Sequence, residues 1–187
     1  MMKTFMELEI YEQEDCLKRA IITNKEVLVK LQKEIKLEEI TNVVYAARGS
    51  SDNAGVYFKY LFETELLKPV SFAAPSVFTI YQKELDLKSS LVIGVSQSGQ
   101  AQDVLAVIEA AKKRGAQTIT ITNFPDSPLA VAGDYHLFLD TGKEKSVAAT
   151  KTFMTQMYLL GLLVSYLKKD AGMIKAFEFL PETLVLK

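Results

Sequence analysis

The stretch LVIGVSQSGQAQDVLAVIEAAKKRG, residues 91–115, decides the fold class of this chain. It begins with apolar, partly β-branched residues, continues through the polar loop Ser-Gln-Ser-Gly, and ends with apolar residues at helical spacing. This order predicts a strand, a loop and a helix. Because parallel strands need a crossover connection, such a unit is typical of a parallel sheet.

The same alternation continues in both directions along the chain. Strands are expected at residues 42–48, 70–74, 90–96, 118–123 and 134–140, and helices at 52–67, 76–81, 101–114, after Ser127, and at 147–168. The strands are apolar on both faces, which predicts that helices cover both sides of the sheet. We therefore expect an α/β fold with a doubly wound five-stranded parallel sheet in the flavodoxin-like order 2-1-3-4-5.

Helical spacing also marks the segment before the first strand, residues 1–40, where one or two helices are expected. Thr4 and Glu7 are spaced for a capping box at its start. The main domain is then expected at residues 41–170, followed by a C-terminal helix and tail at residues 171–187.

Composition excludes several classes of partner. The 187 residues are 49% hydrophobic with a formal net charge of -1, and no long basic or acidic block predicts binding to nucleic acid or to an anionic membrane. The N-terminus turns acidic too early for a signal peptide, and the apolar run at residues 157–167 is too short to span a bilayer. Cys16 is the one cysteine, which favours a reducing compartment. We expect a cytoplasmic protein without nucleic-acid or membrane partners.

Two polar loops follow the first and third predicted strands, at residues 48–51 and 96–99. In this fold, ligands bind where the strand order reverses, beyond the carboxyl ends of these two strands. Each loop offers hydroxyl groups and the first amides of a helix, a combination that suits a phosphate. Two other interpretations stay open: Ser51 and Ser98 could cap their helices, and Arg48 could form either a phosphate contact or a surface ion pair.

Other chemistries have weaker support. Ser96 lies in a sequence close to a nucleophile elbow, but the only histidine, His136, falls in a predicted strand. The chain lacks a cluster of metal-ligating residues and the acidic strand end of a phosphorylated receiver. The fold permits a flavin, but the loops favour a lone phosphate ester. Neither a metal nor a cofactor is expected.

A third polar segment, at residues 144–153, follows the fifth predicted strand. Its small residues would let the backbone approach a ligand. Alternatively, it is the first turn of the last long helix, where Glu144 would interact favourably with the helix dipole. The pattern does not choose between the two.

Four stretches together resemble the sugar isomerase, or SIS, domain family. They are EIYEQEDCLKRAI (9–21), ARGSSDNAGVYFKYLFE (47–63), VSQSGQAQDVLAVIEAAKKRGA (95–116) and TGKEKSVAATKTFM (141–154). Carried over motif by motif, the resemblance implies two groups of binding residues. Those implied to bind the substrate phosphate are Ser51, Ser96, Gln97 and Ser98, and those implied to line the sugar are Ser50 and Val147.

The resemblance implies an aminosugar-phosphate isomerase or deaminase that binds a sugar 6-phosphate, either fructose 6-phosphate or glucosamine 6-phosphate, as a homodimer. Ala101 and Ala149 replace two hydroxyl residues of the related aminotransferase motif, and Cys16 is not placed to be a glutaminase nucleophile. In two-SIS relatives the proton-transfer groups belong to a second SIS domain and to the partner subunit, so the catalytic residues are unknown and the tail is expected to lead to an absent second domain. One alternative is the isomerase domain of a glucosamine-fructose-6-phosphate aminotransferase. The other is a non-catalytic sugar-phosphate sensor. Residues 1–40 argue against the sensor, because they are acidic and lack a basic recognition helix.

Overall fold

A computed structural model describes residues 4–184 of the chain and places a parallel sheet at its centre. The strands are β1 (Asn42–Ala46), β2 (Val70–Phe72), β3 (Ser90–Ser96), β4 (Gln117–Thr122) and β5 (Tyr135–Phe138). Within the described range they form one five-stranded sheet in the order β2-β1-β3-β4-β5, with every pair parallel. The predicted fold class, strand number and strand order are therefore confirmed.

Helices cover both faces of this sheet. They are α1 (Phe5–Tyr11), α2 (Gln13–Glu34), α3 (Ser50–Leu66), α4 (Pro75–Thr79), α5 (Gln102–Lys113), α6 (Pro128–Ala132), α7 (Lys151–Lys168) and α8 (Ala171–Thr183). Val43 and Tyr45 of β1 pack into the core that α2, α3 and α7 form, whereas Val44 and Ala46 pack toward α5. Because neighbouring side chains of a strand point to opposite faces, a strand covered on both sides must be apolar throughout.

The N-terminal segment forms two helices. The predicted capping box is confirmed, since the amide of Glu7 donates to Thr4 Oγ1 at 3.2 Å and the amide of Thr4 donates to Glu7 Oε2 at 2.7 Å. α1 ends at Tyr11 and α2 begins at Gln13, so the single residue Glu12 separates the two helices. No helix within residues 4–184 is long and apolar enough to cross a membrane.

The predicted start of the last long helix, Val147, was wrong. α7 begins at Lys151, and its N-cap, Thr150, has the non-helical angles φ -123° and ψ -81°. Residues 147–149 instead belong to the connection between β5 and α7. The carboxylates of Glu9 and Glu144 accept hydrogen bonds from backbone amides on either side of these residues. The remaining differences are shifts of one or two residues at the ends of the helices and strands.

Candidate functional site

The loops that follow β1 and β3 meet at one edge of the sheet. The two strands are neighbours in register, with Ala46 opposite Gly94, so their carboxyl ends lie side by side. A cavity of about 310 Å³ opens there, which we call the serine-loop cavity. It is lined by Arg48, Gly49, Ser50, Ser51, Val95, Ser96, Gln97, Ser98 and Ala101. All four residues that the resemblance implies to bind phosphate therefore line a single cavity.

The backbone of Ser51 is hydrogen-bonded to Tyr45 of strand β1. It lies in the first turn of α3 with 4% of its surface exposed, and its carbonyl accepts a hydrogen bond of 2.8 Å from the hydroxyl of Tyr45. Burial strongly raises the pKa of Tyr45, so this hydroxyl remains a donor. The N-cap of α3 is Gly49, whose positive φ of 57° turns the chain directly from strand into helix.

The serines of the second loop make contacts within that loop. Ser96 Oγ accepts a hydrogen bond of 3.2 Å from the amide of Gly99, and Ser98 Oγ accepts one of 3.2 Å from the amide of Gln100. The N-cap of α5 is Ala101, which has no side-chain acceptor. The same is true of Gly49 at the start of α3, so the interpretation of Ser51 and Ser98 as helix caps was wrong.

This geometry leaves two helix N-termini directed at the same cavity. The first two amides of α3 and of α5 have no acceptor within their own helices, and the side chains of the N-cap residues supply none. Serine hydroxyls that accept from an amide keep their proton for donation. Hydroxyl donors, backbone donors and two positive dipole ends are the groups that bind an anion.

Gln97 links this loop to the rest of the sheet. Its carbonyl accepts a hydrogen bond of 3.0 Å from the amide of Asn123, the residue that follows β4. Its side chain is half-buried and lines both the serine-loop cavity and a second cavity beside it. Gln97 therefore stands where the two cavities join.

Arg48 lies at the rim of the serine-loop cavity, and its Nε donates to the carboxylate of Asp103 in the first turn of α5. The Arg48 side chain is 69% exposed, whereas that of Asp103 is 22% exposed. The ion-pair interpretation of Arg48 is therefore confirmed. The guanidinium neutralises a carboxylate that would otherwise repel an anion in the cavity.

The second cavity has a volume of about 250 Å³ and is bounded by the connection between β5 and α7, so we call it the β5–α7 cavity. It is lined by Ser50, Gln97, Glu144, Ser146, Val147, Ala149 and Thr152. Ser50 and Gln97 line both cavities, which makes one continuous crevice. Ser50 and Val147, the two residues implied to line the sugar, thus lie beside the serine loops, and the Val147 side chain is fully exposed.

Glu144 accepts hydrogen bonds at the end of the β5–α7 connection, where α7 begins. Its Oε1 accepts hydrogen bonds from the amide of Thr150 at 2.7 Å and from Thr150 Oγ1 at 3.0 Å, and its Oε2 accepts one from Thr152 Oγ1. The sequence allowed Glu144 to lie in the first turn of the helix. It lies instead outside α7 and accepts from the residues that begin it, as a capping side chain does.

Glu9 holds the first part of the β5–α7 connection, at residues 145–146. This role was not predicted from the sequence. Its carboxylate accepts hydrogen bonds from the amide of Lys145 and, at 3.0 Å, from the amide of Ser146. Burial favours a raised pKa for Glu9, but the hydrogen bonds from Ser146 and Lys145 and the charge of Lys151 hold its pKa below the ordinary value. The one available signal was an acidic residue between two apolar residues in a predicted helix.

The competing hydrolase interpretation lacks the necessary contact. His136 Nε2 lies 2.9 Å from Thr122 Oγ1, and burial lowers the pKa of this histidine to about 4. Ser96 Oγ is engaged with the amide of Gly99. In the described part of the chain, no group of three or more His, Cys, Asp or Glu residues could hold a metal ion.

Comparison with known proteins gives the class to which this fold and crevice belong. Residues 36–166, more than half of the chain, match the SIS domain family, and the chain belongs to that family. Among curated proteins, the glutamine–fructose-6-phosphate aminotransferase (isomerizing) of Thermococcus kodakarensis is 34% identical over 168 residues. That match covers 90% of this chain but 28% of the relative, so the chain spans less than a third of it.

Solved structures agree with this placement. A candidate phosphosugar isomerase from Silicibacter pomeroyi superimposes with a TM-score of 0.92 at 34% identity, over 97% of this chain and 55% of that protein. Glucosamine-6-phosphate deaminase from Thermotoga maritima gives a TM-score of 0.70 at 25% identity, over 96% of this chain and 54% of that protein. The chain therefore corresponds to about half of each of these structures.

Proposed function

We propose that this chain is the phosphosugar-binding SIS domain of an aminosugar-phosphate isomerase or deaminase. Its ligand is a hexose or hexosamine 6-phosphate, either fructose 6-phosphate or glucosamine 6-phosphate. The residues proposed to bind the phosphate are Ser51, Ser96, Gln97 and Ser98, and those proposed to line the sugar are Ser50 and Val147. The reaction of the whole protein is ring opening followed by proton transfer between C1 and C2 of the sugar. In a deaminase, water then displaces the nitrogen at C2 and ammonia is released.

One observation carries this proposal: the two serine loops converge on a single cavity of about 310 Å³ while their hydroxyls cap neither helix. A phosphate in that cavity would receive hydroxyl and amide donors and the positive ends of two helices. The adjoining β5–α7 cavity, about 250 Å³ and lined mostly by polar residues, provides room for the sugar.

Two alanines favour an isomerase or deaminase over an aminotransferase. Ala101 lines the serine-loop cavity, and Ala149 lines the β5–α7 cavity. Both stand where the aminotransferase motif has a hydroxyl residue, so hydrogen bonds to the substrate differ on each side of the crevice. Losing a donor in a site built for hydrogen bonding changes which sugar is preferred.

Several parts of the proposal concern the whole protein. Proton transfer needs a general base close to the sugar carbons, and we propose that a second SIS domain and a partner subunit supply it. A homodimer in the cytoplasm is the corresponding assembly and location. The boundaries proposed for the SIS domain, residues 41–170, lie close to the range that matches the family, residues 36–166.

The test is a calorimetric titration of this chain with glucosamine 6-phosphate, fructose 6-phosphate, inorganic phosphate and unphosphorylated glucosamine. We expect binding of the three phosphate-containing ligands only. Ser98→Ala should weaken each of them by about 1.5–3 kcal/mol, the contribution of a hydrogen bond to a charged group. Ser89→Ala, which alters an exposed serine at the opposite edge of the sheet, is the matched control. Equal binding of glucosamine and glucosamine 6-phosphate would contradict the proposal.

A further inference from the structure

Helix α1 has an unusual distribution of side chains. Among its described residues the buried one is an acid, Glu9, with 4% of its surface exposed. Phe5, Met6 and Leu8 of the same helix are 58%, 43% and 44% exposed. Burial of a carboxylate costs free energy unless hydrogen bonds compensate it, so the contacts of Glu9 must account for its burial.

The Glu9 carboxylate binds backbone that is distant in sequence. Its two oxygens accept from the amides of Lys145 and Ser146, which lie 136 and 137 residues further along the chain. Two neighbouring amides that donate to one carboxylate fix the direction of the peptide between them. The backbone at the start of the β5–α7 connection is therefore oriented by α1.

A second contact joins Glu12, the residue between α1 and α2, to the start of α7. The Nζ atom of Lys151 lies 2.5 Å from Glu12 Oε2, and the Lys151 side chain is only 4% exposed. Lys145 Nζ also lies over the Phe5 ring at 5.3 Å from its centroid. Contacts from residues 5–12 thus reach both ends of residues 145–151.

The residues between these two ends form one wall of the β5–α7 cavity. Val147 and Ala149 line it together with Ser146, and Ser146 Oγ donates to the carbonyl of Ala148 at 2.9 Å. No regular element includes these residues, so their backbone depends on what holds its ends. Moving the amide of Ser146 would move Val147 and change the width of the cavity.

From these contacts we infer that Glu9 is a positioning residue for the sugar half of the crevice. Its carboxylate holds the backbone of residues 145–146 so that Val147 and Ala149 form the wall against which the sugar binds. The inference rests on the function proposed above, because it concerns affinity for the sugar part of a sugar phosphate. It assigns to α1 control over sugar binding and no part in phosphate binding.

The experiment compares Glu9→Gln with the unaltered chain in calorimetric titrations with glucosamine 6-phosphate and with inorganic phosphate. Glutamine keeps the shape of the side chain but turns one of its two acceptors into a donor, which would face the amide of Lys145 or of Ser146. We expect affinity for glucosamine 6-phosphate to fall roughly tenfold while affinity for inorganic phosphate is unchanged. Glu9→Asp, which retains the charge, should restore part of the loss. Glu26→Gln, an exposed carboxylate on α2, is the control.

Hydrogen exchange measured by mass spectrometry gives a readout that needs no ligand. In Glu9→Gln, amides of residues 143–150 should exchange faster, whereas those of residues 95–101 should be unchanged. Equal exchange and equal affinity in the variant would overturn the inference, as would a parallel loss of affinity for both ligands. If the unaltered chain binds neither ligand, the proposed function fails. Even without ligand binding, faster exchange in Glu9→Gln would show that Glu9 holds residues 143–150. Unchanged exchange would refute that role as well.

Discussion

The two halves of the crevice are built in different ways. The serine-loop cavity is formed by residues that lie within a few positions of the ends of β1 and β3, and its serines bond to neighbouring amides such as those of Gly99 and Gln100. The β5–α7 cavity is bounded by a longer connection whose ends are held by carboxylates, among them Glu9 from the opposite end of the chain. One half is thus local in origin, and the other is assembled from distant parts.

This difference implies that the serine loops are rigid and that the β5–α7 connection can change shape. A loop between a buried strand and a helix has little freedom, because both flanking elements are packed in the core. A connection held by a few carboxylates can change shape when one of them is lost or when its neighbours change. We therefore expect the serine loops to provide the constant phosphate site and the β5–α7 connection to set the preference for the sugar.

The largest expected effect comes from breaking the local half at Gly99. This residue has φ +65°, and a Cβ atom there would overlap the side chain of Ser127. Gly99→Ala should lower the free energy of unfolding by about 2–4 kcal/mol, from backbone strain and overpacking together, and abolish phosphate binding. Urea unfolding and phosphate titration measure both effects.

Gly115 offers the matched control for that substitution. It also has a positive φ, +79°, but a Cβ atom there would meet no heavy atom within 4 Å in the described structure. Gly115→Ala should therefore show only the strain, about 1–2 kcal/mol, and leave phosphate binding intact. Equal losses of stability in the two variants would mean that contact with Ser127 does not shape the serine loop.

A smaller effect is expected when the distant half is broken at Glu144. Glu144→Ala removes the acceptor for the amide of Thr150 and for the hydroxyl groups of Thr150 and Thr152 at the start of α7. The free energy of unfolding should fall by about 1–3 kcal/mol. Affinity for glucosamine 6-phosphate should fall while affinity for inorganic phosphate persists. Loss of both affinities would show that the two halves are not independent.

Charges at the rim of the serine-loop cavity should affect its affinity for an anion more than the stability of the fold. Arg48→Ala should weaken phosphate binding roughly threefold to tenfold, because the carboxylate of Asp103 is no longer neutralised. Asp103→Asn should have the opposite sign and strengthen binding. Stability should change little in either variant, since exposed ion pairs contribute little to it. Titrations at low and high salt check the origin, because an electrostatic effect shrinks as salt increases.

The effect that is smallest at neutral pH concerns the single histidine, because its charge differs between the folded and unfolded chain only in acid. Burial lowers the pKa of His136 from 6.5 to about 4, so the unfolded chain takes up a proton at a higher pH than the folded one. Stability should therefore fall as pH decreases from about 6.5 toward 4. His136→Gln should flatten this part of the profile. The hydrogen bonds of the Glu9 carboxylate should persist as the pH falls through this range, because a carboxylate with a lowered pKa loses its charge only at more acidic pH. An unchanged profile in His136→Gln would contradict this assignment.

Much of the local half could be predicted from the sequence. Apolar strands, helical periods and the polar loops at residues 48–51 and 96–99 each depend on neighbouring residues, and the structure confirms their order and their convergence. The start of α7 was missed because Val147-Ala148-Ala149 has the composition of a helix. Glu144 and Glu9 override that propensity by bonding to the backbone on either side of it.

Local sequence patterns were enough to predict the class of fold, the strand order and the edge of the sheet where the two serine loops meet. Periodicity and the switch-point rule need only residues that are close together in the chain. Tertiary structure alone decided that the serines do not cap their helices and that α1 turns a carboxylate inward to hold residues 145–146. The physical reason is that a buried carboxylate is tolerated only where donors meet it, and those donors lie 136 and 137 residues away in the chain.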